Sequence, residues 1–251
     1  MITFVTSNPF TIGTESMNPQ NRFVEELLFN IKKNNVRALF VCSDPNTHEF
    51  TDACAASMRK GLEEIGIQFD AFNVLDGRNP DWTRQFIDNS EVIILAGGHV
   101  PTQNKFFKQI HLRENLKHFR GVVIGISAGS MNMADSVFSH PELPGETLDP
   151  TYELQFPGLG LTTRNILPHW QNLQYVVLDG KRMLEDIVFP TCLEHVFFAL
   201  PDGSYIYSNG EREELRGEAY LISNNQCRLV CSTGDVLILQ TNFKKNVSKV
   251  P

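Results

Sequence analysis

Apolar runs that fail to alternate are what most constrains the fold of this chain. "EVIILAGG" at 91–98 and "GVVIGISAGS" at 121–130 each carry an unbroken Val/Ile/Leu stretch that ends in a glycine turn. A strand with one wet face alternates apolar and polar residues, whereas continuous runs suit strands buried on both faces. "ITFVTS", "VRALFVCS" and "FDAFNVL" read the same way. Helix-period stretches lie between them. Phe23, Leu27 and Ile31 recur at spacings of four, and a helix over about 51–65 puts Cys54, Met58, Leu62 and Ile65 on one stripe, with Gly66 at its C-terminal cap. Further helical stretches fall near 80–88 and 103–118.

Strands alternating with helices predict an α/β fold: a mostly parallel sheet, right-handed crossovers and helices on both faces. Ligands of such sheets bind beyond the carboxyl ends of the strands, where both glycine turns lie. The second half changes character. Residues 136–168 are rich in Pro and Gly and predict a long excursion over the sheet, of a length that often serves function. A helix near 179–187 follows. From 196 onward, short strands broken by Asp-Gly, Asn-Gly and Gly-Asp predict C-terminal antiparallel hairpins, with "EREE" at 211–214 as a solvated hairpin tip. One domain is expected over 1–251, with an α/β core to about 203, a hairpin region over 204–241 and a tail over 242–251.

Composition narrows the partners. A net charge of −7 and a sequence pI near 5.5 give no support to nucleic acid or an acidic membrane surface as partner. The pair Lys244–Lys245 reads as part of a solvated tail. Five cysteines, with no C-x-x-C, argue against a disulfide framework and a zinc site. No run approaches 18 apolar residues and no basic leader precedes the first strand, which predicts a cytoplasmic setting without cofactor or metal.

"GVVIGISAGSM" fits G-x-S-x-G, with a strand before Ser127 and a helix after it. A nucleophile elbow strains the serine backbone, so its neighbours must be small. The same residues would also serve as a plain small-residue turn capping a helix. A serine needs a base, usually histidine held by a carboxylate. Of seven histidines, His111 and His118 read as solvent-facing; His48 opens a helix and His195 leads into a strand. His169 in "RNILPHWQN" stands at a strand end, where it could equally pack beside Trp170. For the carboxylate, Glu142 lies in the excursion after the elbow, and Asp135, Asp149, Glu153 and Asp202 are rivals that spacing does not separate. The Ala128 N–H is placed to serve as one oxyanion donor, and the Gly97–Gly98 turn can aim a second. That turn lacks the G-x-G-x-x-G or Walker pattern of a phosphate cradle.

These motifs together resemble the serine peptidase family of dipeptidase E (aspartyl dipeptidase) and cyanophycinase, whose fold is similar to the class I glutamine amidotransferase domain. The resemblance runs from the first strand to about Asp202–Gly203. "IILAGGHVPTQ" resembles the family's Gly-Gly-Gly-Asn turn, "IGISAGS" its elbow, "NILPHW" its Asn-Pro-His-aromatic segment and "ALPDGSYI" its Leu-Pro-Glu/Asp-Gly turn.

The resemblance implies Ser127 as nucleophile, His169 as base, and Gly98 and Ala128 as oxyanion donors. It also implies Glu142 as the third member, at the family's aspartate, with Pro144 matching a proline two residues on. His99 and Val100 depart from the usual Asn-Thr, and Gln103 is displaced by one residue. That turn borders the substrate pocket, so His99 becomes a substrate-binding candidate. Arg182, with Lys181 beside it, stands where dipeptidase E holds the aspartyl side chain of its substrate. The expectation is a serine exopeptidase acting on short peptides, including dipeptides with N-terminal Asp, and a homodimer is compatible with it. The alternative is an amidotransferase-like binding protein that kept the elbow without the chemistry.

Overall fold

The computed structural model describes residues 1–31, 34–193 and 195–239, so Lys244–Lys245 and the tail over 242–251 lie outside the described residues. Five parallel strands build the centre of the main sheet: β1 (Ile2–Thr6), β2 (Val36–Val41), β3 (Phe69–Leu75), β4 (Val92–Leu95) and β5 (Val122–Ile126). Helices α1 (Phe23–Asn30), α2 (His48–Glu64), α3 (Thr83–Asp88), α4 (Val100–Gln109) and α5 (Leu112–Leu116) connect them, and α6 (Ala128–Asn132) follows β5.

The unbroken runs of β4 and β5 are buried on both faces, as double coverage requires. Strand β3, expected to be the same, is mostly half-buried because it forms the edge of the sheet. All of β4 is buried, and successive residues enter opposite cores. Ile93 and Leu95 pack with Phe106 and Phe107 of α4, while Val92 and Ile94 pack with Leu27 of α1 and Met58 of α2. Each such side chain, fully buried, contributes about 1.5–3 kcal/mol.

Beyond α6 the chain runs through β6 (Ser136–Phe138), β7 (Gln155–Pro157), β8 (Asn165–Leu167) and α7 (Trp170–Leu173). The tight hairpin of β9 (Val177–Leu178) and β10 (Lys181–Arg182) comes next, then a π-helical turn at Met183–Val188 and α8 (Phe189–Thr191). The helix expected near 179–187 therefore starts only at Met183. Asp179 and Gly180 both take positive φ, 51° and 80°, which is the backbone of a two-residue hairpin loop rather than of a helix start.

Six further strands complete the chain: β11 (Phe197–Ala199), β12 (Tyr205–Ser208), β13 (Glu213–Arg216), β14 (Ala219–Ser223), β15 (Gln226–Cys231) and β16 (Val236–Leu239). The main sheet runs β16-β13-β12-β1-β5-β4-β2-β3, so three of the expected antiparallel strands extend the parallel core. A smaller sheet runs β15-β14-β11-β8. The "EREE" segment is only half a solvated tip. Glu211 and Arg212 are exposed, but Glu213 and Glu214 enter β13 and are buried against Arg164 and Arg216.

Two pairs of parallel neighbours fix the place of the site. In the main sheet Thr6 of β1 stands beside Ile126 of β5, so Ser7 and Ser127 leave the sheet side by side. In the smaller sheet Leu167 of β8 stands beside Ala199 of β11. The segments after those two strands carry His169 and Asp202.

Candidate active site

Ser127 has φ 47° and ψ −109°, a strained backbone for a residue with a side chain, of a kind that costs on the order of 1–3 kcal/mol. Its N–H is shared between the Thr6 and Ser7 carbonyls, each at 3.1 Å, which clamps the turn to the end of β1. The flanking glycines are required sterically. A Cβ on Gly125 would lie 2.7 Å from Ser130 Cα, and one on Gly129 would press into the Leu95 carbonyl.

His169 Nε2 lies 2.9 Å from Ser127 Oγ, and His169 Nδ1 lies 2.8 Å from Asp202 Oδ1. Asp202 also accepts the Ser7 hydroxyl at 2.8 Å, and Ser7 Oγ in turn accepts the His169 backbone N–H at 2.8 Å. The Asp202 N–H donates to Gln171 Oε1. Burial pushes the Asp202 carboxyl up, but hydrogen bonds from His169, Ser7 and Gln171 and the histidine's charge outweigh it, leaving the group below its ordinary value. A carboxylate can only accept, so Nδ1 carries the proton and Nε2 offers its lone pair to the serine hydroxyl.

The carboxylate against the imidazole is thus Asp202, not the expected Glu142. The physical reason is topological: Asp202 follows β11, the parallel neighbour of the strand that delivers His169, and Ser7 ties it in place. Glu142 sits on the loop between β6 and β7. Its N–H donates to Glu146 Oε2 at 2.8 Å, and its carboxylate approaches His140 Nε2 at 3.7 Å. Burial, with repulsion from Glu146, raises the Glu142 carboxyl to about 7, and His169 is near enough to pull it back in part. His140 is buried and held down to about 4, by burial first and the charge of His169 second. The other rivals stand elsewhere: Asp135 pairs with Arg113, Asp149 caps Thr151 in its own loop, and Glu153 lines an outer cavity with Lys105 and Lys108.

Gly98 has φ 153°, and a Cβ there would meet Ser43 Cβ and Oγ at 2.5 Å, so the turn after β4 demands glycine. Among the described residues neither the Gly98 nor the Ala128 N–H has a protein acceptor. Gln103, fully buried, fastens this turn from below. Its amide donates to the Ala96 and Cys42 carbonyls and accepts from Asn132 of α6. Ser7 carries no signal in the sequence, since a serine ending a strand forms no motif, whereas Gln103 belongs to the turn motif and its role as a buried fastener shows only in the fold.

His99 is engaged at both ring nitrogens, with Thr102 Oγ1 and Glu146 Oε1, each at 2.8 Å. It therefore closes one wall through the protein's own contacts. Arg182 is not brought to the serine. It is exposed and pairs with Asp186 and Glu185. Lys181 donates to the Thr147 carbonyl, and Asp179 accepts from Gly145 and Thr147, so this hairpin braces the loop that carries Glu146. Among the described residues no group of three His, Cys, Asp or Glu could hold a metal ion, the five cysteines are free, and no helix is long and apolar enough to cross a membrane.

A strained serine, a histidine at hydrogen-bond distance and a half-buried aspartate behind it sit on four converging strand ends. The model of peptidase family S51 matches residues 10–215. The chain belongs to that family. Membership makes it a serine-type peptidase, and the resemblance to dipeptidase E and cyanophycinase holds. Among solved structures, a protein from Listeria monocytogenes EGD-e designated a candidate peptidase E is similar at 16% identity and TM-score 0.55, over 84% of this chain and 96% of its own. At that identity the likeness speaks for the fold, a large mostly parallel sheet flanked by helices. No curated protein matches the chain.

Proposed function

We propose that this S51 peptidase is an exopeptidase that hydrolyses short peptides through Ser127, His169 and Asp202. The observation that carries the reading is the unbroken hydrogen-bond chain from Ser127 Oγ through both imidazole nitrogens to Asp202. Ser127 attacks the scissile carbonyl as His169 Nε2 takes the hydroxyl proton. The Gly98 and Ala128 N–H groups receive the oxyanion, each such donor being worth about 10²–10³ in kcat. Collapse expels the amine, which takes the proton from His169. Water then repeats the sequence on the acyl-enzyme. Asp202 fixes the tautomer and stabilises the imidazolium without itself taking the proton. The bracing of the Glu146 loop by the β9–β10 hairpin supports the restriction to short substrates, because it walls the cleft with fixed rather than open segments.

A purely binding role would give no return for the strained φ at Ser127 or for a charged carboxylate behind His169. Ser127→Ala tests the reading. Release of free amino acids from a dipeptide mixture should vanish while the circular dichroism spectrum stays unchanged. Undiminished release by the variant would overturn the assignment.

A further inference from the structure

A largely apolar cavity lies against the nucleophile turn but plays no part in the chemistry above. It has a volume of about 300 Å³ and is walled by Phe10, Phe40, Phe50, Cys54, Met58 and Ile126. Gly97 and Ile126 are its lining residues nearest the site. Ile126 is the residue before Ser127, and Gly97 packs so closely that a Cβ on it would stand 3.6 Å from Ser127 Cβ. Among the described residues no Lys, Arg or His lines the cavity.

We infer that this cavity receives an apolar side chain of the substrate residue whose carbonyl Ser127 attacks, so that the enzyme favours Leu- or Phe-type residues there over Asp. The inference rests on the peptidase reading and adds the substrate class. Its first support is direction. In the sheet order β12-β1-β5-β4-β2, the base and Asp202 stand on the β1 and β12 side of the nucleophile. The cavity stands on the β4 and β2 side, against Ala96, Gly97, Phe40 and Ser43. The leaving amine must face His169 to take its proton, and the oxyanion faces the Gly98 and Ala128 N–H groups. The acyl residue therefore takes the remaining direction, away from His169 and along the Gly97 and Ile126 wall of the cavity.

Its second support is chemistry. An aspartyl carboxylate placed there would lose its water and find no cation, a heavy cost for an ion in an apolar site. Arg182, the residue the family resemblance assigns to that carboxylate, is paired with Asp186 instead. An aliphatic or aromatic side chain meets aromatic rings, a thioether and a methyl-bearing floor. Cavities that hold small ligands start at roughly this size, about 300 Å³.

The test compares kcat/KM for Leu-Ala, Phe-Ala, Ala-Ala and Asp-Ala, with Ala-Leu as the leaving-side control, in the native enzyme and in two variants whose folding is checked by thermal melting. Each buried methylene adds roughly 10-fold or more in such pockets, so Leu-Ala should exceed Ala-Ala by at least that factor, with Asp-Ala lowest. Cys54→Phe fills the cavity and should bring the Leu-Ala to Ala-Ala ratio to near unity while leaving the Ala-Leu to Ala-Ala ratio where it was. Should that variant fail to fold, Ala53→Trp closes the cavity mouth from the exposed side of α2 and carries the same expectation. Cys54→Arg should raise the Asp-Ala to Leu-Ala ratio. Native preference for Asp-Ala, or a Leu-Ala to Ala-Ala ratio that filling does not move, overturns the subsite and leaves the peptidase reading standing. A filled cavity that alters only the Ala-Leu ratio overturns its placement on the acyl side. Absence of turnover across the whole series overturns the reading and the subsite together.

Discussion

Two carboxylate-bearing turns flank the same imidazole, and they have opposite electrostatic characters. Asp202, its side chain only 9% exposed, receives hydrogen bonds from His169 Nδ1 and Ser7 Oγ, which hold it ionised. Glu142 is about a third exposed at its side chain, yet burial of the carboxyl and the neighbouring Glu146 hold it protonated to about 7. A carboxylate orients a base only if it is charged at the working pH and within hydrogen-bond reach. Donors aimed at the carboxylate, rather than its position along the chain, separate the two turns.

The largest expected effect tests that contrast directly. Asp202→Asn should lower kcat about 10⁴-fold, because the amide favours the wrong imidazole tautomer. Glu142→Gln should leave kcat within the same order of magnitude. Equal losses in the two variants would break the comparison and return Glu142 to the catalytic set. Assay of both on one dipeptide near neutral pH decides it.

The elbow could be read from sequence because its causes are local: Gly125 and Gly129 each answer a clash within a few residues or across one neighbouring strand, on either side of the strained Ser127. The parallel core was equally open to reading, since doubly buried strands must be apolar throughout. Asp202 was only one of five carboxylate candidates. What singles it out is the pairing of β8 with β11 and the contact with Ser7, both set by chain segments far apart in sequence. Asp179–Gly180 carried a hairpin signal that helix periodicity obscured. Glu213 and Glu214 looked solvated because the arginines that bury with them, Arg164 and Arg216, are recognised only once β13 is seated in the sheet.

Ser7 gives the next effect in size. It donates to Asp202 and accepts from the His169 backbone, so it positions both without touching substrate. Hydrogen bonds to charged groups are worth roughly 1.5–3 kcal/mol, and tenfold in rate corresponds to about 1.4 kcal/mol. Ser7→Ala should therefore reduce kcat about 10–100-fold with KM little changed. Ser7→Thr, which keeps the hydroxyl, should restore much of the loss. A fall confined to KM, or equal loss in the Thr variant, would mean that the hydroxyl does not position the pair.

The smallest effect is on stability and isolates the Glu142 turn. A carboxyl raised from 4.5 to about 7 in the folded state binds its proton more tightly than the unfolded chain does. Folding stability from this group is therefore undiminished below pH 4.5, falls as pH rises from 4.5 to 7, and stays low above 7. The shift would correspond to a few kcal/mol in full, but partial exposure of the side chain reduces it to on the order of 1 kcal/mol. Glu142→Gln removes the penalty, so it should melt about 2–4 °C above the native enzyme at pH 8, and the gain should vanish at pH 4. His140 acts in the other direction: held down to about 4, it supports stability above pH 6.5 that is lost as pH falls toward 4. It is present in both proteins, so the difference between their melting temperatures cancels it to first order. A constant difference across pH would mean that Glu142 is already ionised beside Glu146. The two turns would then differ in hydrogen bonding alone and no longer in charge.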